Sequence, residues 1–114
     1  MFPVEITYRH TETSRALSEN INARAHKLEK FYDHILNCHV TIEAPPQKHQ
    51  HQSQLFKVSI QLGVPGNDII VHRDAAAHSK DEDVYTTVNK TFAALRRRLE
   101  DHVNIQRDNA KRGR

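Results

Sequence analysis

Three consecutive acidic residues, Asp81, Glu82 and Asp83, are the first candidates for acid–base chemistry in this chain of 114 residues. Carboxyl groups transfer protons efficiently when a pocket or a partner such as histidine tunes their pKa, and no glycine-rich or histidine-paired motif accompanies these three. They directly precede a segment of helical period, where acidic side chains cap free amide groups and interact favourably with the helix dipole. We therefore interpret them as structural, expect no catalytic residues and predict that the protein is not an enzyme.

Histidine and cysteine could instead bind a metal. His49 and His51 form an H-x-H pair beside Lys48 in a polar segment between two predicted strands. A metal site needs three or four converging ligands, and this segment contains no cysteine or carboxylate, so we expect no metal and no cofactor. Lys48, His49 and His51 are predicted to form either a simple polar loop or a loop that contacts RNA. Cys38 is the single cysteine and is expected to be a buried, inert thiol.

Cations at helical spacing are the third kind of candidate. They are Arg24, Lys27, Lys30, Lys90, Arg96, Arg97 and Arg98. The first three recur every three residues and therefore form a slanting ridge on one predicted helix. On the second predicted helix, Lys90 and Arg97 lie opposite the apolar side, and the other two arginines lie on its flanks.

These basic ridges have two interpretations. A solvated helix face explains cations near a helix C-terminus, where the dipole favours positive charge. Two ridges lying side by side would instead suit phosphate binding, since each neutralised phosphate releases counterions. The net charge of +3 and the pI near 9.2 are compatible with either. The presence of a ridge on both helices favours RNA binding.

The elements that must position these residues follow from the spacing of apolar side chains. Alternation predicts strands over residues 3–9, 37–44, 56–62 and 68–73, the last two joined by a Pro65-Gly66-Asn67 turn. Spacings of three and four predict two amphipathic helices. Their apolar positions are Leu17, Ile21, Ala25, Leu28, Phe31 or Tyr32, and Ile35 in the first, and Val84, Val88, Phe92, Leu95, Leu99 and Val103 in the second.

The predicted order β-α-β-β-β-α defines an α+β fold, in which two helices cover one face of a four-stranded sheet. The opposite face, with Lys57, Ser59 and Gln61, should meet water. We expect one domain over residues 1–105 and a basic, flexible tail over residues 106–114. No apolar run approaches the roughly 20 residues that cross a bilayer, so we expect a cytoplasmic protein with no membrane partner.

Several of these segments resemble those of a known family. Residues 17–33, with Lys27-Leu28-Glu29 at their centre, resemble a helix of ribosome hibernation-promoting factors and ribosome-associated translation inhibitors. Residues 46–60 are similar to the histidine-rich hairpin of one branch, and residues 64–74 to the family's turn and last strand. Glu82-Asp83-Val84-Tyr85, opening a helix that closes on Arg96-Arg97-Arg98-Leu99, resembles its most recognisable motif. The similarity extends in order over most of the chain.

The resemblance implies a short-form bacterial factor that sits on the small ribosomal subunit, in the channel for mRNA and tRNA. It implies inhibition of translation and storage of idle ribosomes in stationary phase or stress, without a small-molecule substrate. The seven cations would then contact ribosomal RNA. Many family members have lysine at the position of Ala94, and we expect Lys90, one turn earlier, to replace that contact. Ribosome pairing and self-association stay open.

Two other functions are compatible with the sequence. A general double-stranded-RNA-binding module would use a similar basic face, but it would bind any RNA duplex instead of preferring an assembled subunit. A regulatory module that binds a protein, such as a transcription factor, would keep its partner at high salt because phosphates would not dominate the interface. Salt dependence and RNA specificity therefore separate the three.

Overall fold

A computed structural model describes residues 1–45, 55–78 and 82–112 of the chain. The strands are β1 (Val4–Arg9), β2 (Asn37–Glu43), β3 (Lys57–Val64) and β4 (Asn67–Asp74), and the α-helices are α1 (Arg15–Lys27) and α2 (Val84–Arg112). Short 3-10 turns follow α1 and β4. The predicted order β-α-β-β-β-α and the α+β class are confirmed, and strand boundaries differ from the predicted ones by one or two residues.

The sheet has the strand order β1-β2-β3-β4. β1 and β2 are parallel, with Val4 opposite Cys38, because α1 carries the chain across between them. The other two pairs are antiparallel, and a tight turn joins β3 to β4, where Val64 lies opposite Asn67. The topology therefore leaves β1 and β4 as the two edge strands.

The two faces of the sheet differ as the alternation predicts. Side chains on the helix-covered face are buried and form the core with both helices; they include Val40, Ile42, Val58, Ile60 and Leu62. On the opposite face Lys57 and Gln61 are exposed, and Ser59 is half-buried. The helices are thus fixed to one side, and their outer surfaces remain available for binding.

The first helix is shorter than its apolar spacing predicts. The hydroxyl of Ser14 caps it by accepting a hydrogen bond from the amide of Leu17 at 3.2 Å. It ends at Lys27, and a 3-10 turn over Leu28–Lys30 tightens the chain before it turns back toward β2. The extension of the helical period to Ile35 is therefore wrong, although Ile35 is buried. The turn leaves Phe31 42% exposed.

The second helix has the predicted buried stripe. Val88, Phe92, Leu95 and Leu99 are buried, and Val84 and Val103 are partly buried at its two ends. The helix continues to Arg112, so residues 106–112, which we expected to form a flexible tail, are its last turns. The division into a domain over residues 1–105 and a tail stays a prediction.

The turn between β3 and β4 requires a glycine. Gly66 has a φ of +79°, a conformation that costs a residue with a Cβ atom about 1 kcal/mol. A Cβ added there would meet no atom within 4 Å, so the cost is backbone strain alone. We expect Gly66→Ala to lower the free energy of unfolding by about 1 kcal/mol in urea titrations.

Gly66→Asn is the matched control, because asparagine tolerates the left-handed region better than alanine does. The asparagine variant should lose less stability than the alanine variant. Equal stability of Gly66→Ala and the wild type would contradict this account of the turn.

Candidate nucleic-acid interface

A cleft of about 740 Å³ runs between α2 and the segment formed by α1 and its 3-10 turn. Five of the seven predicted cations line it: Arg24, Lys27, Lys30, Arg96 and Arg97. The two ridges therefore meet on the outer surface of the helices, as their positions around the helix axes suggested. We refer to this surface as the basic cleft.

Most cations in the basic cleft keep their charge available. Within the described parts of the chain, no acidic side chain lies within 4.0 Å of Lys27, Lys30 or Arg97. Arg24 donates a hydrogen bond from Nε to the neutral amide oxygen of Asn20 at 3.0 Å, which orients the guanidinium without cancelling its charge. Such cations suit phosphate groups, whose binding releases counterions.

Arg96 is held differently from its neighbours. Its Nε donates to Oε1 of Glu100 at 3.1 Å, and its Cζ lies 4.0 Å from the centre of the Phe31 ring. Both Phe31 and Glu100 line the basic cleft. The cleft therefore contains a guanidinium lying over an aromatic ring, as well as cations that have no acidic partner among the described residues.

The position of Phe31 in the cleft was not predicted, because the helical spacing assigned either Phe31 or Tyr32 to the apolar stripe of α1. Tyr32 is the one that packs against the core, and its neighbour faces the cleft. Adjacent residues of a helix point about 100° apart, so two neighbouring aromatic side chains seldom face the same part of a core. That angular difference was the available signal that one of the two faced away from the core.

Two of the predicted cations do not line the basic cleft. Lys90 lies with its Nζ 3.8 Å from Oε2 of Glu82. Arg98 donates from its Nη1 to the backbone carbonyl of Ile70 in β4 at 3.3 Å. The candidate loop residues Lys48, His49 and His51 lie outside the described residues.

The acidic residues before α2 have structural contacts. Glu82 is buried and accepts two hydrogen bonds from Arg73, at 2.7 and 2.9 Å, and a third from the hydroxyl of Thr87 at 3.0 Å. The hydrogen bonds lower the pKa of Glu82 to about 2, and those from Arg73 contribute most. Asp83 accepts from the amide of Thr86 at 2.8 Å, as a helix cap does. Asp81 lies outside the described residues.

The remaining candidate for chemistry, Cys38, is buried in β2. Burial raises the pKa of its thiol to about 12, so the reactive thiolate is disfavoured. Among the described residues, no group of three histidine, cysteine or acidic side chains is placed to hold a metal ion. In the same portion of the chain, no helix has the length and apolar character to span a bilayer.

The chain matches one family model in sequence and solved proteins in structure. A family model described as "Sigma 54 modulation protein / S30EA ribosomal protein" matches residues 4–107. A ribosomal subunit interface protein from Coxiella burnetii has a similar structure, with a TM-score of 0.71, 20% identity, and coverage of 90% of this chain and 98% of that one. The N-terminal domain of Thermus thermophilus Protein Y matches with a TM-score of 0.65, 16% identity, and coverage of 89% and 94%. At these identities the two structures show a shared fold.

Proposed function

Because this chain belongs to the Sigma 54 modulation protein / S30EA ribosomal protein family, a family of ribosome-associated factors, we propose that it binds the small ribosomal subunit through ribosomal RNA. On this proposal it occupies the channel for mRNA and tRNA, inhibits translation and stabilises idle ribosomes in stationary phase or stress. Its site of action is then the cytoplasm.

The observation that carries the proposal is the basic cleft. Its cations come from two separate helices, so a strand of RNA lying along the cleft can meet phosphate-binding groups on both sides. Lys27, Lys30 and Arg97 have no acidic partner among the described residues and would neutralise phosphates directly. The mechanism is occupancy: the folded domain, bound in the channel for mRNA and tRNA, excludes the ligands of translation, and no bond is made or broken.

Co-sedimentation tests the proposal. Purified protein is mixed with separated ribosomal subunits and with intact ribosomes, and each gradient fraction is probed for the protein at low and at raised salt. We expect co-migration with the small subunit and with intact ribosomes, weakening by roughly 10³-fold or more between about 50 and 200 mM salt if six or more phosphates are contacted.

The same gradients, with a naked RNA duplex tested in parallel, decide between the alternatives. Equal affinity for any naked RNA duplex would identify a general double-stranded-RNA-binding module, and binding that survives high salt would identify a protein-binding module. Protein that stays at the top of the gradient at low salt would refute the ribosome proposal. A shift of ribosomes into dimers would show that the protein pairs them.

The positions of the cations predict unequal contributions to binding. We expect Arg97→Ala to weaken binding to the small subunit by roughly tenfold and to reduce the salt slope by about one, as the loss of a phosphate contact does. Lys90→Ala should weaken binding by only about twofold, because Lys90 lies beside Glu82 and outside the basic cleft.

Fluorescence titration of labelled small subunits, repeated at several salt concentrations, measures both quantities. Arg98→Ala is the second comparison, since Arg98 also lies outside the cleft. A larger effect of Lys90→Ala than of Arg97→Ala would move the RNA surface away from the cleft and toward the start of α2.

A further inference from the structure

Phe31 and Arg96 form a preassembled stack inside the basic cleft. The guanidinium carbon of Arg96 lies 4.0 Å from the centre of the Phe31 ring, a distance typical of close cation–π contact. The contact joins the segment after α1 to α2, since one partner follows the 3-10 turn and the other belongs to the second helix. The pair therefore has a fixed position before any ligand binds.

The stack is open to solvent although it is ordered. Phe31 is 42% exposed and the Arg96 side chain 53% exposed. Glu100 holds Nε of Arg96 at 3.1 Å from its own Oε1, which restricts rotation of the guanidinium plane. An aromatic ring that stays in water forgoes the favourable free energy of burial. A site with an exposed ring beside cations therefore suits a ligand that is flat and anionic.

Arg96 also differs from its neighbours in how much of its charge is available to a ligand. Glu100 and the negative face of the Phe31 ring already offset part of the Arg96 charge. Arg97, the next residue, has no such partner among the described side chains. Arg97 is thus the better phosphate ligand, and Arg96 offers mainly a flat surface.

We propose that the Phe31–Arg96 pair is a stacking platform for one unpaired RNA base, while Lys27, Lys30 and Arg97 bind the phosphates around it. This inference rests on the proposed RNA-binding function and adds a preference for single-stranded nucleotides. Bases stack on aromatic rings and on guanidinium planes when they are unpaired, whereas the faces of bases inside a duplex are covered by their neighbours. The platform therefore selects a loop, a bulge or a strand end.

Two RNA probes of equal phosphate number test the proposal: a hairpin carrying 2-aminopurine at an unpaired loop position, and a continuous duplex. We expect the wild type to bind the hairpin roughly tenfold more tightly than the duplex, with a change in 2-aminopurine fluorescence. Phe31→Leu should remove most of that preference and the fluorescence change, yet leave the salt slope unaltered. Phe31→Tyr should retain both.

Arg96→Lys and Arg97→Lys are the matched pair, because both keep the positive charge and only the first loses a stacked plane. Arg96→Lys should abolish the hairpin preference, and Arg97→Lys should preserve it. Phe31 is 42% exposed and does not belong to the hydrophobic core, and thermal melting of each variant checks that folding is unchanged.

The outcomes separate this inference from the proposed function. In one outcome the wild type binds the small subunit, but Phe31→Leu keeps the preference for the hairpin probe. That outcome would overturn the platform and leave the ribosome proposal standing. Equal wild-type affinity for both probes, or binding to neither, would also overturn the platform. Hairpin preference without small-subunit binding would support the platform and refute the ribosome proposal.

Discussion

Reversing the charge of Lys27 and Arg97 together, as Lys27→Glu/Arg97→Glu, is expected to abolish binding of the protein to small ribosomal subunits. Both residues line the basic cleft, one from α1 and the other from α2. The double variant removes two phosphate contacts and adds two repulsive charges, and each close like-charge contact with a phosphate is costly. We expect the affinity to fall by roughly a hundredfold or more, as measured by fluorescence titration and by co-sedimentation at low salt.

Arg15→Glu/Lys57→Glu is the matched control because it changes the net charge equally at exposed positions outside the cleft. The Arg15 side chain is 93% exposed at the start of α1, and Lys57 lies on the opposite face of the sheet. Binding should change by no more than about threefold if location decides affinity. Similar losses for both double variants would mean that overall charge, not the basic cleft, attracts the subunit.

Replacing Glu82 should have the largest effect on stability. Its carboxylate is buried and joined to Arg73 by two hydrogen bonds, so Glu82→Gln leaves the Arg73 guanidinium, whose side chain is only 19% exposed, without its counter-charge. Loss of one partner of a buried pair costs about 3 kcal/mol or more. We expect the free energy of unfolding to fall by about that amount in urea titrations, and the melting temperature by roughly 10–20 °C.

Glu19→Gln is the control for Glu82→Gln. Glu19 pairs with Arg15 at 3.3 Å, but its side chain is 70% exposed, and exposed ion pairs contribute at most about 1 kcal/mol. The Glu19 variant should therefore melt close to the wild type. A Glu82 variant as stable as the Glu19 variant would show that the buried pair does not hold β4 to α2.

The Glu82 pair also makes stability depend on pH. Arg73 lowers the pKa of Glu82 from 4.5 to about 2 in the folded protein, so the stabilisation is complete above pH 4.5. As the pH falls from 4.5 toward 2, the unfolded chain takes up the proton first and the stabilisation is lost. The stability difference between the wild type and Glu82→Gln should shrink over that range in acid unfolding.

The strands were predictable because alternation depends only on local geometry. In β3, residues 58, 60 and 62 face the core, and residues 57, 59 and 61 face the other way, as the sequence pattern indicates. The end of α1 was not predictable in this way. The spacing of apolar residues continues to Ile35, but the chain leaves the helix after Lys27 because it must enter β2 at Asn37. Tertiary geometry, not residue spacing, sets that boundary.

The basic cleft was partly predictable. Angles around each helix axis placed Lys27 and Arg97 on outward-facing surfaces, and the two surfaces do adjoin. Those angles contain no information about neighbouring elements, so they could not show that Lys90 lies beside Glu82 or that Arg98 contacts β4. Assignment of a role to each cation required the packing of the helices against the sheet.

The ion pair of Glu82 was likewise not predictable from the sequence. Its position before α2 predicted a favourable interaction with the helix dipole, and Asp83 beside it does cap the helix. The ion pair of Glu82 with Arg73 could not be inferred from either segment alone. Arg73 comes from β4, and its side chain meets the carboxylate only when β4 and the start of α2 are packed together.

The hydrogen bond from Arg98 to Ile70 changes what the exposed edge of the sheet offers to another molecule. β4 is an edge strand, and such edges present backbone groups that can recruit strands of other molecules. Ile70, 51% exposed on that strand, adds an apolar side chain that would favour such pairing. The guanidinium of Arg98 occupies the Ile70 carbonyl and places a positive charge at the same point. Two such edges that approach each other bring like charges together, which disfavours pairing of β4 with β4 of a second molecule.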